Sequence, residues 1–488
     1  MDDADDGPAQ EKIDNAWLRR TALNFEKHIS KNAELRAKFE DEPHKFIGSE
    51  ADLDADIKGL AILTEHPELY HEFVRLNCTA SLAGLLAHEN TDIAIDAIEI
   101  IGELTDEDVT AEESQWNELV DALMDADLID LLISNFSRLN EDDESDRNGI
   151  YHALGIIENF CSRAAIATRI GQQDRLLKWL LERIQRKETP VSQNKQYAAE
   201  VLAILAQASA ENRRKLAELD AVDTLLQLVS AYRKRDPDRG SEEEEYMENM
   251  FEALTCIVDE TAGKEKFIEA EGIELCLITL KEGKAAKPSA IRLIDHASSG
   301  DGGLDVCNKA VEAGGLKNIF TLFMKTHDHR LTEHVLVILS NMLRVFPSDS
   351  AERIRTLAKF VEKEYEKIKR LVKLRQDFSS RIKRSEASFR EEWRAEGAPE
   401  GDEFEVELIS RKLDAGLYTL QLIDTVLAWL AAEDGGARRQ IKALLANTDE
   451  DLTSVAATLQ GQLDSIDTTD ESNQDMRDML GTLLELLQ

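Results

Sequence analysis

Leu128-Ile-Asp-Leu-Leu132 is one of six short segments built alike: an apolar residue, two residues of any kind, then two apolar residues. The others are Leu82-Ala-Gly-Leu-Leu86, Leu176-Leu-Lys-Trp-Leu180, Val222-Asp-Thr-Leu-Leu226, Ile273-Glu-Leu-Cys-Leu277 and Leu316-Lys-Asn-Ile-Phe320. Their starts lie 46, 48, 46, 51 and 43 residues apart, a mean period of about 47. That is the long end of the range for helical repeats of the armadillo and HEAT type. Each segment follows a break such as Glu269-Ala-Glu-Gly272 or Glu312-Ala-Gly-Gly315, where glycine can end one helix and turn into the next. Each is followed by a longer apolar stretch with helical spacing, as in Ile93, Ala97, Ile98, Ile101 and Leu104. Such a unit cannot bury both its faces alone, so six of them must stack into one continuous core. The predicted fold is therefore all-α, an armadillo-type right-handed superhelical solenoid.

Around this array the chain divides by composition. Residues 1–12 read as an acidic flexible tail and 13–66 as N-terminal capping helices, with the repeats spanning 67–346. Residues 351–394 read as one long charged helix, 395–405 as an acidic loop and 406–488 as a C-terminal helical extension. Within 353–394 there are 14 Lys and Arg against 7 Asp and Glu, although the whole chain of 488 residues carries a formal charge of −39. Mixed charges such as Glu362 and Glu366 beside Lys363, Lys367 and Arg370 fit a solvated helix supported by pairs three and four apart. The same stretch offers a second reading, an RNA or partner contact through Arg381, Lys383 and Arg384.

Composition excludes several classes. Apolar residues at 42% and charged residues at 32% allow a buried core, so wholesale disorder is ruled out. The strong negative charge opposes general nucleic-acid binding, which needs Lys and Arg to replace phosphate counterions; it favours basic peptides or domains. Five Cys with no C-x-x-C spacing read as buried free thiols in a reducing compartment. The start Met1-Asp-Asp-Ala-Asp-Asp is unlike a signal peptide, and no run of 18 apolar residues suggests a membrane span. Asp52-Leu-Asp-Ala-Asp56 opens like a calcium loop but has Ile57 and Leu63 where Gly and Glu are needed. No phosphate loop, nucleophile elbow or zinc spacing occurs. The expectation is a non-enzymatic protein with no metal and no cofactor.

The longer helices align as Ala97–Glu103, Ala153–Asn159, Val201–Gln207, Ala253–Asp259, Ala290–His296 and Val335–Asn341. The last position is polar in all six: Glu103, Asn159, Gln207, Asp259, His296 and Asn341. A polar residue recurring on an otherwise apolar helix marks a line that faces water or a ligand. These helices resemble the third helix of armadillo repeats, whose corresponding residues line a concave groove and hold extended peptides by the backbone. The resemblance makes the six residues, with Glu99, a predicted acidic peptide-binding groove. Nuclear-import armadillo receptors place Trp four residues earlier; here those positions are Glu99, Gly155, Ala203, Thr255, Arg292 and Val337, so a regular Trp–Asn array is absent.

A closer likeness is carried by Leu23-Asn-Phe-Glu-Lys27, Lys31-Asn-Ala-Glu-Leu-Arg-Ala-Lys-Phe39, Gly84-Leu-Leu-Ala-His-Glu-Asn-Thr-Asp92, Glu200-Val-Leu-Ala-Ile-Leu205 and Arg411-Lys-Leu-Asp-Ala-Gly-Leu417. These resemble the beta-catenin-like protein 1 family over roughly 21–445. The resemblance implies a nuclear scaffold of the spliceosome, associated with the NineTeen complex. Its partners would be basic, nuclear-localisation-type segments of splicing proteins, among them the cell-division-cycle-five-like protein. Nucleic acid would be touched only indirectly or weakly and membranes not at all; a homodimer is compatible with the reading. One departure is the acidic start, where family members tend to carry a basic extension.

Overall fold

The computed structural model describes residues 12–396, 401–467, 469–470 and 473–487. The acidic tail expected at 1–12 lies outside them except for Lys12. Among the described residues the only regular structure is helix. The chain forms two compact units, one of residues 1–224 with 238–253 and one of residues 225–237 with 254–488.

In the first unit the helices Asn15–Lys38 and Ile47–Gly59 precede the repeats. Asp14 starts the first of them by accepting the amides of Ala16 and Trp17. Both helices are tied to the first repeat. From the first, Arg19 Nε lies 2.7 Å from Glu72, and Asn32 Oδ1 lies 2.9 Å from His88 Nε2. From the second, Lys58 Nζ lies 3.4 Å from Asp96. Arg75 and Arg19 together hold the Glu72 carboxyl down at about 2.

Each six-fold segment found in the sequence sits in a middle helix, for example Leu128–Arg138 and Asp174–Gln185. Each apolar stretch after it is a longer third helix: Thr91–Thr105, Glu144–Cys161 and Gln193–Ala208 in this unit. Sequence reading overlooked a short first helix in front of each pair, such as Ala164–Gly171 or Ala210–Glu218. The turn from first to second helix also differs from expectation. In five repeats it passes through a left-handed residue, namely Asn77, Asp127, Asp220, Glu271 and Gly314. Gly272 is not that residue: it is needed because a Cβ there would meet the Phe267 ring at 2.2 Å.

Successive repeats are joined by more than apolar contact. Buried Asn135 donates to Leu86 O of the preceding repeat at 2.9 Å, and buried Asn212 donates to Ala167 O at 3.1 Å. In the second unit Asn318 donates to Leu277 O at 3.1 Å. Each adds a side-chain amide bond to a backbone carbonyl of the repeat before it.

The second unit contains the third helices Lys287–Ser298 and His329–Val345, and Leu417–Glu433 packs on the latter as a further third helix would. The basic stretch is not one solvated helix. Within Ala351–Glu396 the backbone breaks at Glu362–Tyr365, where Lys363, Glu364 and Tyr365 take φ of 52°, 53° and 62°. Two helices meet there, and three of their basic residues, Arg353, Lys367 and Arg375, are buried. Lys367 bridges Glu362 and Glu366 at 2.7 and 2.9 Å. Arg353 donates to the Leu343 and Phe346 carbonyls at 2.6 and 2.7 Å. Arg375 Nε lies 2.7 Å from Asp424, which is wholly enclosed. The expected loop at 395–405 is shorter than predicted, since helix runs to Glu396 and resumes at Asp402.

Burial lifts the Asp424 carboxyl to about 6 despite Arg375 beside it. Its folded value exceeds its unfolded value, so this group's contribution to stability falls as pH rises through roughly 4 to 6. Arg375→Met should cost about 3–5 kcal/mol in urea unfolding, because it strands a buried carboxyl. Losing the guanidinium raises Asp424 further, so the penalty should be smaller at pH 5 than at pH 8. Glu364→Gly should raise stability by about 1 kcal/mol, since its side chain is exposed and its backbone is left-handed.

Candidate functional site

In the first unit the helices Thr91–Thr105, Glu144–Cys161 and Gln193–Ala208 pack in succession. The part of the next third helix that belongs to this unit adds Glu242, Glu245 and Glu252. Their apolar residues fill the core, so the polar residues left over fall on one face. Glu103 and Gln207 are exposed and Glu99 and Asn159 half-buried. Neighbours along this line touch. Asn159 Nδ2 lies 3.5 Å from both Gly102 O and Thr105 Oγ1 of the preceding repeat, and Gln207 Nε2 donates to Glu252 at 3.1 Å.

In the second unit Asp259 is exposed and accepts from His296 Nδ1 at 3.0 Å. That bond raises the His296 pKa above its ordinary value, against the opposing effect of burial. Asn341 is buried at 9% exposure, with Nδ2 on Ser298 Oγ at 3.2 Å and Ser299 Oγ at 3.0 Å. Asn341 thus clips its helix to the helix before it, and its amide nitrogen is already engaged.

A second polar row was missed. Seven residues before each ladder position, two helical turns away on the same side, stand Asp96, His152, Glu200, Glu252, Ser289 and His334. Sequence reading compared only the position four residues earlier, where the import receptors carry Trp. The seven-residue spacing was available in the sequence and would have found this row.

Around it the first unit gathers carboxylates. His152 Nε2 lies 4.0 Å from Glu99. The Tyr197 hydroxyl donates to Glu158, and the Tyr151 and Tyr197 rings lie 5.1 Å apart. A Cβ on Gly155 would sit 3.3 Å from that hydroxyl, so the missing side chain makes room for Tyr197 from the next repeat. Burial raises the Glu200 pKa, and Glu158, Glu245 and Glu242 push it further. Burial and then Glu99 raise Glu103 likewise. Among the described residues, no Lys or Arg forms an ion pair with Glu103, Glu158, Glu200 or Glu245. The face can therefore accept cationic side chains through its carboxylates, while its amides can pair with a peptide backbone.

The other expected contact residues lie in the second unit. Lys383 and Arg384 are exposed and Arg381 is half-buried over the Phe378 ring at 5.3 Å. Lys383 Nζ is 3.9 Å from Glu450, and Arg384 Nε donates to Ser380 O at 3.2 Å. No group of three or more His, Cys, Asp or Glu converges as a metal site among the described residues. None of the five Cys is in a disulfide, and burial raises the pKa of Cys78 and Cys161 to about 12. No single helix among the described residues is long and apolar enough to cross a membrane.

Three-helix repeats with a polar third-helix face define an armadillo-type repeat protein. Comparison with known proteins narrows the class. The profile of the family described as "Catenin-beta-like, Arm-motif containing nuclear" matches residues 1–460, and the chain belongs to that family. The beta-catenin-like protein 1 homolog of Schizosaccharomyces pombe is 37% identical over 471 residues, 96% of this chain and 82% of the relative. Beta-catenin-like protein 1 of Homo sapiens is 38% identical over 429 residues, 85% of this chain and 76% of the relative. Among solved structures, a designed armadillo repeat protein in complex with peptide (KR)4 aligns with 54% of this chain and 98% of its own, at 19% identity and a TM-score of 0.41.

Like charges held together on a folded surface cost stability. Glu200 has a raised folded pKa, so its effect on stability worsens as pH rises above about 4.5. Glu200→Gln should therefore stabilise the protein at pH 7, by less than about 1 kcal/mol after solvent screening. The gain should vanish in thermal melts near pH 4.

Proposed function

We propose that this chain is a nuclear, non-enzymatic adaptor of the pre-mRNA splicing machinery that captures basic segments of partner proteins on its third-helix face. The observation that carries the reading is the grouping of Glu158, Glu242 and Glu245 around half-buried Glu200, where burial and then these charges raise Glu200 and, among the described residues, no Lys or Arg forms an ion pair with any of the four. A protein that only needed to fold would gain by replacing them with neutral residues. A Lys- or Arg-rich segment supplies the missing countercharge. The exposed aromatic ring of Tyr151 gives such a side chain an apolar surface for its stem. The overall charge of −39 adds long-range attraction for basic partners. Family membership supports the nuclear context; the splicing context, with NineTeen complex-associated proteins as the partner class, is what the resemblance to the beta-catenin-like protein 1 family implies.

The rival reading, RNA contact through the basic stretch 353–394, has less to support it. Its buried cations Arg353, Lys367 and Arg375 are already bound to carboxylates within the second unit. Arg381, Lys383 and Arg384 remain at or near the surface as three cations beside an acidic body.

Glu200→Lys combined with Glu245→Lys should weaken binding of a basic nuclear-localisation-type peptide about tenfold or more, measured by fluorescence anisotropy on the full chain. Glu99→Lys with Glu103→Lys should act in the same direction. Association should slow as salt is added, because steering is screened beyond about 10 Å at 0.1 M. Unchanged affinity in both double variants would remove the third-helix face as the binding site. Tight binding of single-stranded RNA that is lost on neutralising Arg381, Lys383 and Arg384 would favour the rival.

A further inference from the structure

The helix Asp402–Asp414 of the second unit is apolar on two opposite sides. Inward, Phe404 and Leu408 are buried with Phe389, and the Phe404 ring lies 5.3 Å from Phe389 and 5.5 Å from Trp393. Outward, Val406, Ile409 and Leu413 are 70%, 52% and 49% exposed. Their spacing of three and four residues puts them on one line of the helix, about half a turn round from the buried side. Single exposed apolar residues need no explanation, but among the described residues no other helix exposes three large ones in such a line. A cleft of about 520 Å³ adjoins the line at Val406 and is floored by the Phe389 and Trp393 side chains.

The charges around this line have one sign. Both cations of the helix are already engaged, Arg411 with Glu407 at 2.9 Å and Lys412 with Glu386 at 3.1 Å. Asp402, Glu403, Glu405 and Asp414 are exposed and, among the described residues, form no ion pair. At 100° per residue, Glu403 and Asp414 follow one edge of the apolar line, Glu405 follows the other, and Asp402 stands at its head. These carboxylates fix the kind of partner. A second copy of the chain would bring the same four charges up against them, and an anionic lipid surface would be repelled likewise. The acidic start Met1-Asp-Asp-Ala-Asp-Asp carries the same sign. What fits is apolar along one line and cationic beside it.

We propose that the outer side of Asp402–Asp414 docks a basic amphipathic helix of a partner protein. The apolar side chains of that helix pack on Val406, Ile409 and Leu413, one of them entering the cleft beside Phe389 and Trp393. Its Lys and Arg face the carboxylates at the edges. The occupant is a helix because the docking residues repeat at three and four, the spacing at which a second helix presents its own ridge of side chains. The surface shares no residue with the third-helix face of the first unit and stands whether or not that face binds.

The test uses the full chain carrying Glu200→Lys and Glu245→Lys, so that the third-helix face is disabled, and two fluorescein-labelled peptides of Leu and Lys. One has Leu spaced at three and four over four helical turns; the other has the same composition with Leu scattered round the helix. In fluorescence anisotropy this background variant should bind the first about tenfold or more tightly than the second. Adding Ile409→Ser with Leu413→Ser should abolish that preference. Adding Glu405→Lys with Asp414→Lys instead should weaken binding of the first peptide about tenfold. All four side chains are exposed, so thermal melts should stay within a few degrees of the background. Equal binding of the two peptides to the background variant overturns the proposal. So does a preference that the serine pair leaves intact. Two further measurements decide the other occupants. Dimerisation of the unsubstituted chain in sedimentation, or its flotation with phosphatidylserine vesicles, overturns the partner-helix reading if the serine pair abolishes it. Failure of the third-helix reading is read separately, from binding of a basic extended peptide to the unsubstituted chain against the double variant.

Discussion

A three-helix repeat cannot bury both its apolar faces alone, and each leaves that task to its neighbour. The constraint is physical: a three-helix unit has two broad apolar sides and several terminal carbonyls without partners. Asn135, Asn212 and Asn318 reach across to carbonyls of the preceding repeat, and Asn341 reaches in the same way to Ser298 and Ser299. Because these joints are made by apolar stacking and amide clips, most of the polar ladder positions of the first unit stay at or near the surface, whereas Asn341 in the second unit is spent on a clip. In the first unit Glu103, Asn159 and Gln207 occupy those positions without harm to the core.

The same logic explains the basic stretch. A run of Lys and Arg in an acidic protein invites a reading as a surface feature, yet three of its cations are among the most enclosed side chains of the second unit. Asp424 and Glu433 of Leu417–Glu433, and Glu450 of the connection before Leu452–Ser465, supply countercharges to Arg353 and Arg375. Here charge serves assembly of the C-terminal helices. On the third-helix face of the first unit Glu158, Glu200 and Glu245 stand together, and among the described residues no Lys or Arg forms an ion pair with them.

The repeats were legible because the apolar spacing of the second and third helices survives every change of residue. The first helices were not, since pieces such as Ala164–Gly171 are barely two turns long and carry little periodic signal. Their turns hid as well, because Asn, Asp and Glu take the left-handed backbone where glycine was expected. The break at Glu362–Tyr365 could not be read at all. Glu-Lys-Glu-Tyr favours helix locally, and the contact that accompanies the break, the Tyr365 hydroxyl against Gly436, comes from far along the chain. Of the candidate face, one polar row was visible in the alignment of helices. The parallel row at seven residues went unseen, as did the carboxylate grouping, because its members come from different repeats.

The helices Asn15–Lys38 and Ile47–Gly59 have a consequence beyond their own packing. A stack of like units ends in a surface shaped to accept another unit, so a bare first repeat would offer a landing place for any similar array. With Arg19, Arg36 and Asn32 fastened to Glu72, Glu89 and His88, that landing place is taken by the chain itself. The row of repeats is thereby terminated at this end, and end-to-end growth into filaments is blocked by a lid of the protein's own making.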